Sequence, residues 1–217
     1  MFSIKIDLHV HTNRSDGTVS PDIMANRAKK LGLDGIAITD HDVAITEDEV
    51  FYLADKHNLI IIPGVEITTK QGHILGLGIF ETPEKNLDLR YVINFIRHLG
   101  GIVIIPHPFD FLRNGIGKYI KEIKADAIEV INGGVLLDRF NKKAFQFAKE
   151  NSITMVAGSD AHDPDQLGYA YTIINSEEKD YEEVLKSIIL GYTRPVGKKY
   201  GILSKIKVHL KKIKMKF

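Results

Sequence analysis

The sequence predicts an α/β protein in which short apolar strands alternate with helices. The chain has 217 residues, which suits one domain or one small barrel. Apolar runs recur between segments of helical character, and each run is continuous, as in strands buried on both faces of a parallel sheet. About seven β–α units in this length favour a compact barrel over an open sheet, although periodicity alone does not separate the two.

The helices are recognised by their first residues. Ser20-Pro21-Asp22 combines a serine N-cap, a proline at the first helical position and an acid in the first turn. Thr46-Glu47-Asp48-Glu49 has the spacing of a capping box. We expect helices over residues 21–30, 47–57, 87–98, 137–151 and 181–190. We expect strands over residues 4–8, 35–39, 59–62, 74–80, 102–105, 127–131, 153–157 and 169–175.

Cysteine does not occur in the chain, which excludes disulfides, thiolate metal sites and a cysteine nucleophile. Any bound metal must be held by histidine nitrogen and carboxylate oxygen, which favours Zn, Mn or Fe. The chain has no apolar run long enough to span a membrane, and no signal peptide precedes the first strand. We therefore expect a cytoplasmic protein without a transmembrane segment.

The net charge of +1 is unevenly distributed along the chain. Residues 198–217 hold eight lysines and no acid, whereas residues 1–197 hold 21 basic and 28 acidic side chains, a net charge of −7. The chain thus divides into a barrel domain, residues 1–197, and a basic C-terminal tail, residues 198–217. The acidic body disfavours long polyanions such as nucleic acid as partners without excluding them.

Apolar residues of the tail recur at helical spacing, at positions 202, 206, 210, 213 and 217, which predicts an amphipathic helix. Ile206, Val208 and Leu210 also alternate as they would in a strand. In one interpretation the apolar stripe packs on the barrel and the lysines face water. In the other, the tail contacts an anionic membrane surface or nucleic acid, or steers an anionic substrate. Because the tail contains no candidate ligand, we expect its deletion to spare the metals.

Candidate metal ligands cluster at the ends of the predicted strands. Six of the nine histidines lie in short polar segments beside apolar strands, together with three carboxylates. The set consists of His9, His11, Asp16, His41, Glu66, His73, His107, Asp160 and His162. An extended His-x-His segment points both rings to one face, and the carboxyl ends of barrel strands meet at one rim. A lone histidine at a strand end is usually a satisfied polar residue, but nine such groups predict a site for several metal ions.

These segments resemble the signature motifs of the PHP family, named for polymerase and histidinol phosphatase, over about residues 5–197. The matching motifs are Asp7-Leu8-His9-Val10-His11-Thr12 with Asp16-Gly17, Thr39-Asp40-His41-Asp42, Gly64-Val65-Glu66-Ile67, Gly72-His73, His107-Pro108 and Ser159-Asp160-Ala161-His162. The resemblance implies a distorted (β/α)7 barrel of the PHP type. It also implies a centre of two or three divalent ions (Zn, Mn or Fe) at the rim.

The resemblance further implies how the ligands are shared, with Glu66 bridging two of the ions. The implied sets are His9, His11, Glu66 and Asp160 for the first ion, Glu66, His73 and His107 for the second, and Asp16, His41 and His162 for the third. Some members carry histidine where this chain has Asp16, which leaves the choice of metal open. Many nucleotide-directed members carry a subdomain over the site. Only six residues separate Glu66 from His73 here, so we expect an open site.

Other polar residues beside the ligands are candidates for catalysis or for orienting the ligands. Two arginines follow the first motif and the His-Pro motif, where a guanidinium suits a phosphate, although each would also fit a solvated loop. Two aspartates flank His41 and could orient ligand histidines, with a turn role as the alternative for the second. The catalytic candidates are Glu66, Asp160, Arg14 and Arg113, and the orienting candidates are Asp40 and Asp42.

Three functions are compatible with such a site. The first hypothesis is hydrolysis of small phosphomonoesters through a metal-bound hydroxide, since clustered metals supply a nucleophile at neutral pH and offset charge on phosphoryl oxygens. The second is a nuclease acting on DNA or RNA ends, which the acidic body disfavours. The third is a non-catalytic barrel subunit of a larger assembly. PHP-like barrels in that role typically have eroded ligands, whereas all nine positions are filled here.

Overall fold

Nine strands form one curved sheet in the structure, a computed structural model in which residues 1–214 are described. In chain order the strands are β1 (Phe2–Val10), β2 (Gly35–Ile38), β3 (Ile60–Thr69), β4 (Gly72–Leu77), β5 (Ile102–Ile105), β6 (Ala127–Asn132), β7 (Thr154–Gly158), β8 (Ala170–Ser176) and β9 (Thr193–Gly197). Their order across the sheet is β7-β6-β5-β4-β3-β2-β1-β8-β9. The strand expected at 59–62 is longer than predicted and includes Glu66.

Six α-helices accompany the strands in the described part of the chain. They are α1 (Pro21–Lys30), α2 (Glu47–His57), α3 (Leu89–His98), α4 (Asp138–Glu150), α5 (Tyr181–Ile189) and α6 (Ile202–Lys214). The predicted starts of α1 and α2 are confirmed, because the Ser20 and Thr46 side chains accept hydrogen bonds from the amides of Ile23 and Glu49. Within residues 1–214, no helix has both the length and the apolar character needed to cross a membrane.

The sheet is mixed, which corrects the expectation of a parallel sheet. β1, β2 and β3 run parallel, as do β5, β6 and β7. β4 is antiparallel to β3 and β5, and β8 is antiparallel to β1 and β9. Two residues, Lys70 and Gln71, separate β3 from β4, and a link this short cannot make the crossover that a parallel pair needs.

The sheet closes on itself beside the carboxyl end of β1. The Asp160 amide donates to the His9 carbonyl, and the His11 amide donates to the Ala161 carbonyl, both at 2.9 Å. These bonds join the segment that follows β7 to β1, so the two halves of the sheet meet. The predicted distorted barrel is confirmed, as a nearly closed mixed sheet.

Apolar side chains fill the barrel interior, and polar side chains take over where the strands end. Both faces of the central strands are covered, which explains their continuous apolar runs. The fully buried interior residues include Ile4, Ile6, Ile62, Leu77 and Ile104. His41 follows β2, His107 follows β5 and Asp160 follows β7, so the carboxyl ends of these strands present the predicted ligands at one rim.

The predicted C-terminal helix is present as α6, Ile202–Lys214, and Phe217 of the predicted stripe lies outside the described residues. Lys211 pairs with Asp163 at 2.7 Å, Lys212 pairs with Asp16 at 2.8 Å, and Val208 is buried. Of the apolar stripe, Ile206, Leu210 and Ile213 are 42–53% exposed, so the interpretation in which the stripe packs on the barrel is not what the structure shows. Acidic groups at the rim explain this orientation, because they offer charge-assisted hydrogen bonds to the lysines.

Candidate metal centre

The structure brings the nine predicted ligands together at the rim of the barrel. Seven of them line one cavity, namely Asp16, His41, Glu66, His73, His107, Asp160 and His162. The other two, His9 and His11, lie at the end of β1 and are fully buried. Their Nε2 atoms are 3.2 and 3.1 Å from Glu66 Oε2, so the His-x-His pair faces the same group.

Glu66 lies at the centre of this cluster and is 1% exposed. Its Oε1 atom is 2.9 Å from His73 Nδ1 and 3.0 Å from His107 Nε2. Its Oε2 atom is 3.1–3.3 Å from ring nitrogens of His9, His11 and His41. One buried carboxylate therefore contacts five histidines, and its two oxygens face different subsets of them.

The other two carboxylates divide their oxygens between the histidines and a cation. Asp160 Oδ1 is 3.5 Å from both His11 Nε2 and His162 Nδ1, and its Oδ2 pairs with the Arg113 guanidinium. Asp16 Oδ1 is 3.1 Å from His162 Nε2, and its Oδ2 is 2.8 Å from the Lys212 ammonium. In both aspartates one oxygen is directed to the cluster while the other is held from outside it.

Four groups of these side chains bring one donor atom from each member within 4.8 Å of the others. The groups are His11, Asp16, His41 and His162; His9, His107 and Asp160; His9, His11 and Glu66; and His41, Glu66 and His73. The third set implied by the PHP resemblance is thus assembled and is joined by His11. His107 groups with His9 and Asp160 while also touching Glu66.

The chemistry of these donors fits divalent cations. The ring nitrogens His11 Nδ1 and His107 Nδ1 are buried and have no hydrogen-bond partner within the described residues. The Nε2 atoms of His9 and His11 face each other at 3.1 Å beside a carboxylate oxygen. Converging buried nitrogen and oxygen donors are costly without a partner and suit Zn, Mn or Fe.

The charges of the cluster are coupled. Burial disfavours ionisation of Glu66 and Asp160, but nearby histidines, and for Asp160 chiefly Arg113, hold both pKa values well below their usual range. Burial lowers the pKa of His41 to about 4 and also lowers that of His162, so both rings are neutral at pH 7. For His11, Asp160 and Glu66 outweigh burial and raise the pKa to about 9. A metal that binds His11 must therefore displace a proton.

Glu129 on β6 is a site residue that sequence reasoning missed. It is 1% exposed, and its Oε1 atom lies 3.2 Å from His9 Nδ1. Its Oε2 atom accepts hydrogen bonds from the His107 amide and from the Asn132 side-chain amide, at 2.9 and 2.8 Å. The contact between Glu129 Oε1 and His9 Nδ1 fixes the His9 ring so that its Nε2 atom faces the cluster. The available signal was an acid inside the apolar run 127–131.

Asp7 was also missed, and it ties three segments of the rim together. It is fully buried and accepts hydrogen bonds from the amides of Ser159 and Gly168 at 2.8 and 3.0 Å, and from that of His9 at 3.4 Å. Burial is the main influence on this carboxyl and raises its pKa to about 6. The first motif contains Asp7, but its role depends on segments about 150 residues away.

Asp40 and Asp42, the candidates for orienting the ligands, bond to residues of the loops beside them. Asp40 accepts hydrogen bonds from the Thr12 amide and hydroxyl, at 2.7 and 2.6 Å, and from the Ser15 hydroxyl. Asp42 accepts from the Thr68 amide and hydroxyl. In the described residues neither carboxylate bonds to a histidine ring. Asp40 and Asp42 hold the loops that carry the ligands, because unpaired backbone donors of those loops need acceptors.

The structure places one of the two candidate arginines at the site. Arg113 lines the cavity, and its guanidinium pairs with Asp160, which helps to raise the arginine pKa above its usual range despite burial. Arg14 instead pairs with Glu49 of α2 and donates to the Ala44 carbonyl at 3.4 Å. Arg14 is not among the residues that line the cavity, so its role in phosphate binding stays a prediction.

The cavity above the cluster has a volume of about 510 Å³. Apolar side chains form part of its wall, namely Leu112, Leu136 and Val208. Lys212 and His209 line it as well, so α6 supplies one side of the cavity. The C-terminal helix therefore borders the site, which was expected to be open, along one side.

A rim with six histidines and three carboxylates beside one cavity defines an α/β barrel whose side-chain clusters can bind metal. A family model described as PHP-associated matches residues 138–193. An uncharacterized protein of Methanocaldococcus jannaschii is 32% identical over 140 residues, which cover 59% of this chain and 82% of that protein. With its motifs, fold and relatives taken together, the chain belongs to the PHP family.

Two enzymes match shorter segments of the chain. The 5'-3' exoribonuclease Rnm of Escherichia coli is 38% identical over 86 residues, which cover 36% of this chain and 29% of the enzyme. The 3',5'-nucleoside bisphosphate phosphatase of Chromobacterium violaceum is 36% identical over 78 residues, which cover 34% of this chain and 27% of the enzyme. Both similarities are partial, so they bear on chemistry more than on substrate.

Two solved structures share the fold. One is a two-domain protein from Bacteroides vulgatus that contains a predicted PHP-like metal-dependent phosphoesterase. Its TM-score is 0.76 at 22% identity, and the match covers 97% of this chain and 70% of the Bacteroides chain. The other is the lesion-specific endonuclease PfuEndoQ from Pyrococcus furiosus, with a TM-score of 0.62 at 18% identity. That match covers 96% of this chain and 66% of the endonuclease chain. The barrel of this chain is thus that of PHP-like proteins.

Proposed function

We propose that the chain is a metal-dependent phosphoesterase that hydrolyses small phosphomonoesters with the help of two or three divalent ions. The observation that carries the proposal is the clustering of nine histidine and carboxylate residues at the rim, in four groups of donor atoms within 4.8 Å, beside a cavity that seven of them line. When bound, such ions lower the pKa of a water molecule and offset the negative charge of phosphoryl oxygens.

The proposal gives Glu66 the bridging position, because its two oxygens face different histidines. Oε1 lies beside His73 and His107, and Oε2 lies beside His9 and His11. A further ion would be held by His11, Asp16, His41 and His162. The ionised state of Glu66 and Asp160 suits this role, since a metal ligand must be deprotonated.

Arg113 is the proposed phosphate-binding residue of the site. Its guanidinium lines the cavity and is held in place by Asp160. A guanidinium offers several N–H donors in a fixed plane, so those not used by Asp160 and Tyr200 can bind phosphoryl oxygens. Arg113 thereby orients the phosphate beside the donors that hold the ions.

The shape and charge of the molecule favour a small substrate. A cavity of about 510 Å³ falls in the range of small-molecule sites. Residues 1–197 carry a net charge of −7, which repels a long polyanion, whereas a single phosphate interacts mainly with the centre itself. Leu112, Leu136 and Val208 give the leaving group an apolar surface to contact.

A phosphoester panel tests the proposal. The full chain is stripped with a chelator, reloaded with Mn or Zn, and assayed on an aryl phosphate, a sugar phosphate, a nucleoside monophosphate and single-stranded DNA and RNA. We expect the monoesters to be cleaved. Glu66→Gln should reduce the rate by more than about 100-fold, beyond the loss typical of residues that only support a ligand, with an unchanged circular dichroism spectrum. Metal-loaded protein that cleaves no phosphoester would contradict the proposal.

A nuclease acting on DNA or RNA ends is the second candidate. The similarity to the exoribonuclease Rnm favours it, as does the position of the lysine-rich helix α6 beside the cavity. Basic side chains along a binding groove are what a nucleic acid strand requires. Degradation of single-stranded nucleic acid without cleavage of any monoester would place this candidate first.

A further inference from the structure

The C-terminal helix α6 is attached to the metal centre by specific contacts. Tyr200, which precedes it, is buried, and its hydroxyl donates to the Asp160 carbonyl at 3.2 Å. The Tyr200 amide donates to the Gly133 carbonyl at 2.9 Å. Lys211 pairs with Asp163, which is 1% exposed and also accepts from the Thr18 hydroxyl. These contacts fix where the helix crosses the rim.

Lys212 brings the helix to a candidate ligand. Its ammonium lies 2.8 Å from Asp16 Oδ2, while Asp16 Oδ1 lies 3.1 Å from His162 Nε2. The arrangement matches the one at Asp160, where Oδ2 pairs with Arg113 and Oδ1 faces the histidines. Two cations from different parts of the chain thus hold two ligand carboxylates in the same way.

Asp16 depends on such a contact more than the other acids do. Its side chain is 46% exposed, whereas those of Glu66 and Asp160 are each 1% exposed. An exposed carboxylate on a loop samples several rotamers, and fixing one of them costs conformational entropy. The ion pair with Lys212 selects the rotamer that directs Oδ1 to the cluster.

We propose that α6 is a working part of the metal centre, in which Lys212 is a positioning residue for Asp16. The chain therefore needs Lys212 for full occupancy of the position formed by His11, Asp16, His41 and His162. This proposal rests on metal binding as stated under the proposed function. It replaces the expectation that the tail can be deleted without effect on the metals, because that expectation considered only direct ligands.

The chain offers three matched comparisons for Lys212→Ala. Lys207→Ala removes an exposed lysine of the same helix. Lys211→Ala breaks the neighbouring ion pair with Asp163 and leaves the Asp16 contact in place. Lys212→Arg keeps a cation that can reach the carboxylate. Together they separate the charge of the tail, the docking of the helix and the contact with Asp16.

The experiment measures bound Mn or Zn per chain by equilibrium dialysis and mass spectrometry, without substrate, on variants shown to be folded by circular dichroism. We expect Lys212→Ala to weaken binding of one ion by about 10-fold or more, as for other groups that orient a ligand. The remaining ions should stay bound, and Lys212→Arg should recover most of the lost affinity. Lys207→Ala and Lys211→Ala should retain the full metal content.

Several results would overturn the inference. Unchanged metal binding in Lys212→Ala would show that the ammonium does not help Asp16. Tighter binding would show that the ammonium repels the ion. An equal loss in Lys211→Ala would assign the effect to helix docking in general. A wild-type chain that binds no metal would overturn the proposed function as well, whereas normal wild-type loading with an unaffected Lys212→Ala would overturn this inference alone.

Discussion

At the scale of single residues, the candidate metal ligands are held in place by other buried side chains. Glu129 is buried inside a strand, where a carboxylate is costly unless its oxygens are paired. Both oxygens are used: Oε1 faces His9 Nδ1, and Oε2 accepts from the His107 amide. One acid thereby orients two ligand segments that are distant in sequence.

Replacement of Glu129 by glutamine tests this role. An amide has one oxygen, so its NH₂ group must face either the His9 ring or the donors of His107 and Asn132. We expect a 10- to 100-fold loss of metal affinity, the range typical of groups that orient ligands, and about 1–3 kcal/mol less stability. Glu177→Gln at an exposed position is the control. If isothermal titration calorimetry finds the same metal affinity in Glu129→Gln as in the wild type, His9 needs no support from Glu129.

At the scale of elements, the close approach of β7 to β1 builds the site. A Cβ atom at Gly158, the last residue of β7, would lie 2.5 Å from His9 Cβ and 2.7 Å from Glu129 Oε1. Neither neighbour can move without disturbing the His9–Glu129 contact. A glycine is needed there because two backbones and a buried carboxylate share the space.

Gly158→Ala should therefore destabilise the fold and weaken the metal centre together. We expect a loss of about 1–3 kcal/mol in the free energy of unfolding, as for other overpacked positions. Chemical denaturation with and without metal measures it. Gly201→Ala, where the added Cβ meets nothing within 4 Å, should be neutral. A Gly158→Ala variant with native stability and metal content would mean that β7 and β1 are less tightly constrained than described.

The elements also show what the sequence could and could not predict. Capping residues placed the starts of α1 and α2, because a cap is a local interaction. The direction of β4 could not be read, since a strand buried on both faces has the same pattern in either direction. β9 was missed because Arg194 and Pro195 interrupt it, and a proline is tolerated there only because β9 lies at the edge of the sheet.

Some residues of the site can be recognised from short motifs in the sequence, whereas others are recognised only from contacts between distant segments. Short motifs fix the spacing of the candidate ligands, so the sequence was enough to select the nine residues that the structure brings together. The contacts of Glu129 with His9 and of Lys212 with Asp16 span 120 and 196 residues. The acid inside the apolar run 127–131 marks Glu129 as unusual, but the partner of Glu129 and that of Lys212 are set by the fold.

At the scale of the whole molecule, the basic tail and the acidic body complement each other at the entrance to the site. The tail holds eight lysines and no acid, and the body carries a net charge of −7. Lys211 and Lys212 pair with Asp163 and Asp16, which places positive charge beside an otherwise acidic rim. The anionic substrate of the proposed function would meet these lysine ammonium groups at the entrance, and salt should weaken that attraction.

Hydrolysis of phosphoesters with bound metals is tested by titrating chelator-treated protein with Mn or Zn while phosphomonoesterase activity is followed. We expect no activity in the stripped protein, and a rise that reaches its plateau at two or three equivalents per chain, in line with the clusters around Glu66 and Asp16. Hydrolysis that is undiminished in fully stripped protein, or a plateau unrelated to the number of bound ions, would contradict it.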